Sequence, residues 1–186
     1  MNIAIVGGGI VGLALGYKLS KNKVNKIHVF EKEEEVGFHQ SGRNSGVLHC
    51  GLAYKPGSLK AKLAVSGIKQ MIKYCKDFKI NHDICGKIVV ASDENESKLL
   101  ENTAKRGKLN GLKGLKYLNN MELKEREPFV SSYKSLLVPE EGIVDYKAVM
   151  LSMKENIINS GGDVLLGSKI EKIEEKKNLI YINNNS

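Results

Sequence analysis

The stretch Asn2-Ile3-Ala4-Ile5-Val6-Gly7-Gly8-Gly9-Ile10-Val11-Gly12 decides how the first part of the chain folds. Asn2 to Val6 is a short apolar run that ends in three glycines, the pattern of a buried strand feeding a tight turn. From Ile10 to Leu19 apolar residues return at helical spacing, at Ile10, Leu13, Ala14 and Tyr17. Ile27 to Phe30 is a second apolar run, closed by Glu31. Together these make a strand–helix–strand unit of about thirty residues, the size of one βαβ crossover.

Within that unit the spacing Gly7-x-Gly9-x-x-Gly12 has a physical reading. Gly7 permits the turn, Gly9 lets the backbone approach a pyrophosphate, and Gly12 lets the helix lie close on the strands. The helix start at Ile10 offers unpaired N–H groups and a partial positive charge to phosphates. Glu31 stands where a carboxylate can accept hydrogen bonds from ribose hydroxyls, and its charge disfavours a 2′-phosphate. A dinucleotide is therefore expected, with Lys32 counted beside Glu31 in the binding set. The unit does not by itself separate FAD from NAD.

The loop His39-Gln40-Ser41-Gly42-Arg43-Asn44-Ser45-Gly46-Val47-Leu48-His49 addresses that choice. It combines hydroxyls, amides, a cation and glycines just after the ribose-binding strand. Ser and Asn donors suit phosphate oxygens, and glycines suit close approach to a flat ring. An NAD enzyme has no need of such a loop here, so FAD is expected, held by His39, Gln40, Ser41, Arg43, Asn44, Ser45, Gly46 and Val47.

Further along, a helix is expected from Ser58, as N-cap, to about Phe78, with the stripe Ala61, Val65, Ile68, Ile72 and Cys75. Lys87 to Ala91 reads as a strand, and Asp93 with Glu96 as a capping box opening the next helix. A short strand ends near Leu118, and a polar helix from Asn119 is stopped at Pro128. Leu136 to Pro139 is a strand and Glu140-Glu141-Gly142 a turn. A helix from Asp145 to Asn159 ends at Gly161-Gly162, and Val164 to Leu166 is a strand. Ile170 to Ile173 and Leu179 to Ile182 form a hairpin. His82 falls in a polar loop.

His39 to Gly67, HQSGRNSGVLHCGLAYKPGSLKAKLAVSG, closely resembles the motif region of the L-2-hydroxyglutarate oxidase/dehydrogenase family, FAD enzymes of the D-amino-acid-oxidase-like superfamily. The resemblance continues through Cys85 to Ala91, Glu125-Arg126-Glu127-Pro128, Val138-Pro139 and Gly142 to Tyr146. Ser41 and Arg43 stand where some members carry Thr and His, and Cys50 where Ala or Ser is usual. Arg43 also resembles the related glycerol-3-phosphate dehydrogenases.

The resemblance implies an α/β fold: a Rossmann-like FAD-binding domain interrupted by the first part of an α+β substrate domain. Its expected boundaries are 1–80 for the FAD-binding domain, 81–140 for the incomplete substrate domain, and 141–186 for the continued FAD-binding domain. It also implies hydride transfer from C2 of L-2-hydroxyglutarate to the flavin, giving 2-oxoglutarate, with oxygen or a quinone as electron acceptor. Such chemistry needs a base and cations for two carboxylates. His49 is the candidate base or electrostatic partner, Tyr54 the candidate hydrogen-bond donor, and Lys60 or Arg43 can meet an anion. Ile170 lies where the superfamily lets a backbone amide contact adenine. Family members run to about twice this length, so a truncated product with exposed sheet edges is expected, prone to aggregation or dependent on a partner. Two other readings stay open: a non-catalytic nucleotide-binding module, and a relative that oxidises glycerol 3-phosphate or amino acids.

Composition narrows the setting. The 186 residues are 41% apolar and carry a formal charge of +8. The lysines are interspersed with glutamates, as in Glu31 to Glu35 and Glu171 to Lys177, which favours a solvated surface over a nucleic-acid partner. Cys50, Cys75 and Cys85 are widely spaced, so neither a disulfide framework nor a metal site is indicated. No secretory leader is read and no apolar stretch approaches the ~20 residues of a membrane span. A cytoplasmic protein is expected, with peripheral contact at the cytoplasmic face of the inner membrane left open.

Overall fold

The computed structural model describes residues 1–184. Asn183 and Asn184 fall within it, and Asn185, the last of the asparagine run, lies outside the described residues. The chain divides into two compact units, Met1–Ser45 with Asp145–Ser186, and Gly46–Val144. This division differs from the expected boundary after residue 80, because residues 46–80 include the strand Val47–Leu48, which pairs with Gly142–Val144 at the far end of the second unit.

The first unit holds a parallel sheet of β1 (Asn2–Val6), β2 (Lys26–Phe30) and β9 (Asp163–Leu165), in the order β1-β2-β9. Ile5, Ile27 and Val29 point into its core. Two helices, α1 (Ile10–Ser20) and α5 (Tyr146–Asn159), pack together there. Leu13, Val149, Met150, Met153 and Ile157 are buried. Gly16 makes the close approach workable, since a Cβ there would stand 2.8 Å from Ile157 Cδ1. Asp145 caps α5 by accepting from Ala148 N–H at 2.9 Å, a bond of a kind that contributes about 1 kcal/mol. The expected hairpin is present as β10 (Ile170–Lys176) and β11 (Leu179–Asn184). Its turn residues Lys177 and Asn178 both take positive φ, as a tight two-residue hairpin turn requires.

The second unit holds two antiparallel sheets. One is β3 (Val47–Leu48), β8 (Gly142–Val144) and β4 (His82–Asp83), in the order β3-β8-β4. The other is β5 (Lys87–Ala91), β7 (Lys134–Val138) and β6 (Lys116–Leu118), in the order β5-β7-β6, and α3 (Glu94–Leu109) packs on it. The helix α2 runs Leu59–Asp77, and Ser58 caps it through Ala61 N–H at 3.2 Å. The small helix α4 spans Asn120–Arg126.

Three local expectations change. The stretch 36–56, expected as a long loop or a loop with one short helix, carries no helix and adds the two-residue strand β3. His82, expected in a polar loop, pairs with Val144 in β4. At α3 the capping box is only half formed: Asp93 accepts from Glu96 N–H, but Glu96 accepts from the N–H and hydroxyl of Ser92. Ser92 offers that carboxylate two donors where the N-cap offers one. The complete box lies instead at α4, where Asn119 and Glu122 bond reciprocally.

Candidate FAD cradle and buried carboxylate cluster

The turn between β1 and α1 is built by glycines that tolerate no substitute. Gly7 takes φ +106°, and a Cβ on Gly12 would lie 2.0 Å from the Gly7 carbonyl oxygen. Gly9 is the N-cap of α1 and has no side chain with which to cap it. Ser41 reaches the same turn: its Oγ accepts from Ile10 N–H at 3.1 Å and would stand 3.1 Å from a Cβ on Gly9. The result is a glycine-lined helix N-terminus that carries one hydroxyl, which suits a pyrophosphate.

Glu31 ends β2 beside this turn and is only 7% exposed. Its backbone is pinned, the N–H donating to Leu165 O and the C=O accepting from Ser168 N–H. Its carboxylate accepts from Gly8 N–H at 2.7 Å and from Glu33 N–H at 3.0 Å. A carboxylate has about four acceptor positions, so each oxygen keeps one for a ribose hydroxyl. Gly8, outside the expected set, is needed here, because a Cβ would meet Glu31 Cβ at 2.9 Å. Gly37, also outside it, donates its N–H to Gly8 O and takes φ +71°, where a Cβ would collide with Met150 Cε at 2.2 Å.

The other expected cofactor residues of this unit have varied surroundings. Lys32 and His39 both reach Glu33 Oε1, at 3.1 and 2.8 Å, and the hydrogen bonds from His39 and then Lys32 hold the Glu33 carboxyl below its usual range. Asn44 folds the loop by donating to Gln40 O and Ser41 O, while Arg43 lies 4.6 Å over the Phe38 ring. Gln40 and Ser45 are exposed. Ile170 opens β10, opposite Asn184.

Gly46, Val47, His49, Tyr54 and Lys60 belong to the second unit. Gly46 takes φ +72° and its carbonyl accepts from Val144 N–H, and Val47 pairs with Ile143. Tyr54 and Lys60 meet, the ammonium 4.5 Å over the ring. Asn110 holds the turn before them by donating to the carbonyls of Gly51 and Tyr54, both at 2.9 Å.

The residue that sequence reasoning missed is Glu141. It is 1% exposed, and Lys87 forms an ion pair with its Oε2. Its Oε1 accepts from Cys50 N–H at 3.2 Å and from the Cys50 thiol at 3.3 Å. His49 Nδ1 lies 3.7 Å from the same oxygen, with the His49 side chain 58% exposed. Burial works to raise the Glu141 carboxyl, but Lys87 and the Cys50 donors outweigh it and hold the group below its usual range. Burial, and then the charge of Glu141, push the Cys50 thiol up to about 12. A glutamate in the three-residue link between β7 and β8 gives no sign that a lysine from a distant strand will neutralise it. A cavity of about 530 Å³ in this unit is lined in part by Cys85, Lys87 and Arg126, and its lining includes none of His49, Tyr54 and Lys60.

The family model for FAD-dependent oxidoreductases matches residues 2–184. The chain belongs to that family. FAD is the family's cofactor, and the glycine turn, the helix N-terminus and Glu31 fit an adenine dinucleotide. The chain is similar to L-2-hydroxyglutarate dehydrogenase of Indibacter alkaliphilus, 45% identical over 92% of this chain and 43% of that protein. It is similar also to the mitochondrial L-2-hydroxyglutarate dehydrogenase of Homo sapiens, 40% identical over 95% of this chain and 38% of that protein. The chain thus spans less than half the length of these curated relatives. In fold it is similar to the FAD-bound L-alpha-glycerophosphate oxidase of Mycoplasma pneumoniae, with a TM-score of 0.90 at 24% identity, covering 99% of this chain and 49% of that one. Glycine oxidase of Geobacillus kaustophilus gives 0.88 at 21% identity, covering 98% and 50%. Among the described residues no helix is long and apolar enough to cross a membrane.

Proposed function

We propose that this chain provides the FAD cradle and part of the substrate-oxidising apparatus of an enzyme that converts L-2-hydroxyglutarate to 2-oxoglutarate. The observation that carries the substrate is the 45% identity to an L-2-hydroxyglutarate dehydrogenase across 92% of the chain. A 2-hydroxy acid loses a hydride from C2 and a proton from its hydroxyl, and FAD, when bound, accepts the hydride. Everything else falls to the protein.

In this reading Gly7, Gly9, Ile10 and Gly12 receive the pyrophosphate, and Glu31 fixes the ribose, with Lys32 beside it. The loop residues His39, Gln40, Ser41, Arg43, Asn44 and Ser45, with Gly46 and Val47, line the rest of the cofactor, and Ile170 meets the adenine through its backbone. His49 takes the hydroxyl proton. Tyr54 donates to a substrate carboxylate, and Lys60 supplies positive charge from its place on the Tyr54 ring. The domain bounds follow the same reading, with residues 1–80 and 141–186 as the FAD-binding domain, which also carries His49, Tyr54 and Lys60, and 81–140 as the incomplete substrate domain. Oxygen or a quinone reoxidises the flavin, and the protein works in the cytoplasm, where a quinone acceptor would bring it to the membrane face.

Turnover of L-2-hydroxyglutarate, glycerol 3-phosphate and D-amino acids, followed as keto product, tests the assignment. Formation of 2-oxoglutarate is the expected result. Glycerol 3-phosphate or D-amino-acid oxidation without any 2-oxoglutarate would end it.

A further inference from the structure

The short sheet brings together two residues that the sequence keeps far apart. β3 and β8 pair antiparallel, Val47 with Ile143 and Leu48 with Gly142. His49 directly follows β3 and Glu141 directly precedes β8, and the two meet at that end of the pair. β8 cannot slide to another register, since a Cβ on Gly142 would already fall 2.1 Å from Asp83 O on its other side. The Glu141 main chain is held too, its carbonyl accepting from Gly86 N–H at 2.9 Å.

The side chain is fixed as firmly. Lys87 holds one carboxylate oxygen, and the N–H and thiol of Cys50 hold the other. A buried carboxylate so compensated keeps its charge and its direction. The imidazole nitrogen that approaches the carboxylate is Nδ1, 3.7 Å from Oε1. That is too long for a hydrogen bond, yet close enough for the charge to influence where the single proton of a neutral imidazole resides.

We propose that Glu141 is a positioning residue, whose carboxylate, clamped by Lys87 and Cys50, keeps the proton of neutral His49 on Nδ1 and leaves Nε2 as the acceptor for the substrate hydroxyl. The inference rests on the reading of His49 as the proton acceptor. In the reaction, the O–H proton passes to Nε2 as the C2–H bond breaks toward FAD with its electron pair and the C2–O bond becomes double. The imidazolium so formed presents Nδ1–H to Glu141. Glu141 touches neither substrate nor cofactor and acts only through the histidine.

The test is the ¹⁵N spectrum of the protein labelled in histidine, with the His49 signals identified by their loss in His49→Gln. The expected spectrum has a pyrrole-like Nδ1 and a pyridine-like Nε2 for neutral His49, the Nδ1–H form favoured by roughly ten to one. Glu141→Gln, which keeps an acceptor for Cys50 N–H and removes the charge, should abolish that preference. It should also slow flavin reduction by L-2-hydroxyglutarate about tenfold, with KM within about twofold. Cys50→Ala, which leaves the carboxylate and Lys87 in place, should retain the Nδ1–H form. A wild-type protein carrying Nε2–H on His49, or a Glu141→Gln spectrum unchanged from wild type, overturns the proposal. Should Glu141→Gln fail to fold, the wild-type spectrum decides alone. Because the tautomer is read without turnover, an Nδ1–H histidine in a protein that L-2-hydroxyglutarate fails to reduce supports the positioning and counts against the substrate.

Discussion

Each compact unit buries one glutamate beside its candidate chemistry, and the two are compensated by different means. Glu31 is 7% exposed and satisfied by two backbone N–H groups, those of Gly8 and Glu33. Glu141 is 1% exposed and satisfied by a lysine, a thiol and one backbone N–H. Backbone donors fix the carboxylate in direction and leave its net charge uncancelled, free to meet ribose hydroxyls. A lysine cancels the charge at a distance, yet leaves a strong local dipole that a neighbouring imidazole can feel. Burial of a charge is tolerated in both cases because partners are supplied. Only the first arrangement leaves an acceptor position on both oxygens, since Glu141 Oε1 already takes two donors.

The contrast can be broken first at the cysteines. Cys50, lying against Glu141 and raised to about 12, should have a thiolate fraction of about 10⁻⁴ at pH 8. The exposed Cys85 should therefore react with a thiol reagent at least about a thousandfold faster than Cys50 in the folded protein. Peptide mapping after timed alkylation reads this directly. Comparable labelling of both would show that the cluster is open to solvent.

The glycine turn comes next. Gly12→Ala places a Cβ 2.0 Å from Gly7 O, a backbone atom that cannot swing aside. A loss of about 3 kcal/mol is expected, with FAD affinity falling as the turn is displaced. Urea unfolding and flavin fluorescence titration measure the two, and wild-type values in both would remove the close approach from the account.

A smaller effect is expected at Glu141. Glu141→Ala leaves Lys87 and Cys50 N–H without their partner. Because the Lys87 side chain is 34% exposed and can turn toward water, the expected cost is about 2 kcal/mol, below that of a fully buried pair. Its pH dependence has a defined sign. The folded carboxyl is held below the ordinary value of 4.5, so its contribution is full above that pH and disappears as pH falls through the folded value. The difference in stability between wild type and Glu141→Gln should be flat near neutrality and shrink below 4.5. A difference that grew on acidification would contradict the ionised form.

The two glutamates also differ in how readable they were. Glu31 announces itself, because a glycine pattern, a helix and a strand of fixed length bring the end of β2 to the turn whatever the rest of the chain does. The caps at Ser58 and Asp145 were legible for the same local reason. Gly8 and Gly37 were not, since their need arises from contacts with Glu31 and Met150 that no spacing records. Glu141 depends on two sheets being assembled: β8 must pair with β3 to bring it to His49, and β5 must lie alongside to bring Lys87. With three residues in β8 and two in β3, no alternation of apolar and polar positions was long enough to show the pairing. The swapped capping partner of Glu96 has a related cause, as the competing donors of Ser92 are visible only once the turn is built.

The measurement that bears most directly on the account is anaerobic mixing of the FAD-loaded protein with single enantiomers of 2-hydroxyglutarate, following the visible flavin band. The L enantiomer should bleach the wild-type flavin, and the D enantiomer should not. His49→Gln should bleach at least about a hundredfold more slowly, as expected for the loss of a general base, while still binding FAD through the glycine turn and Glu31. A flavin that stays oxidised with L-2-hydroxyglutarate, or one bleached as fast without His49, would contradict it.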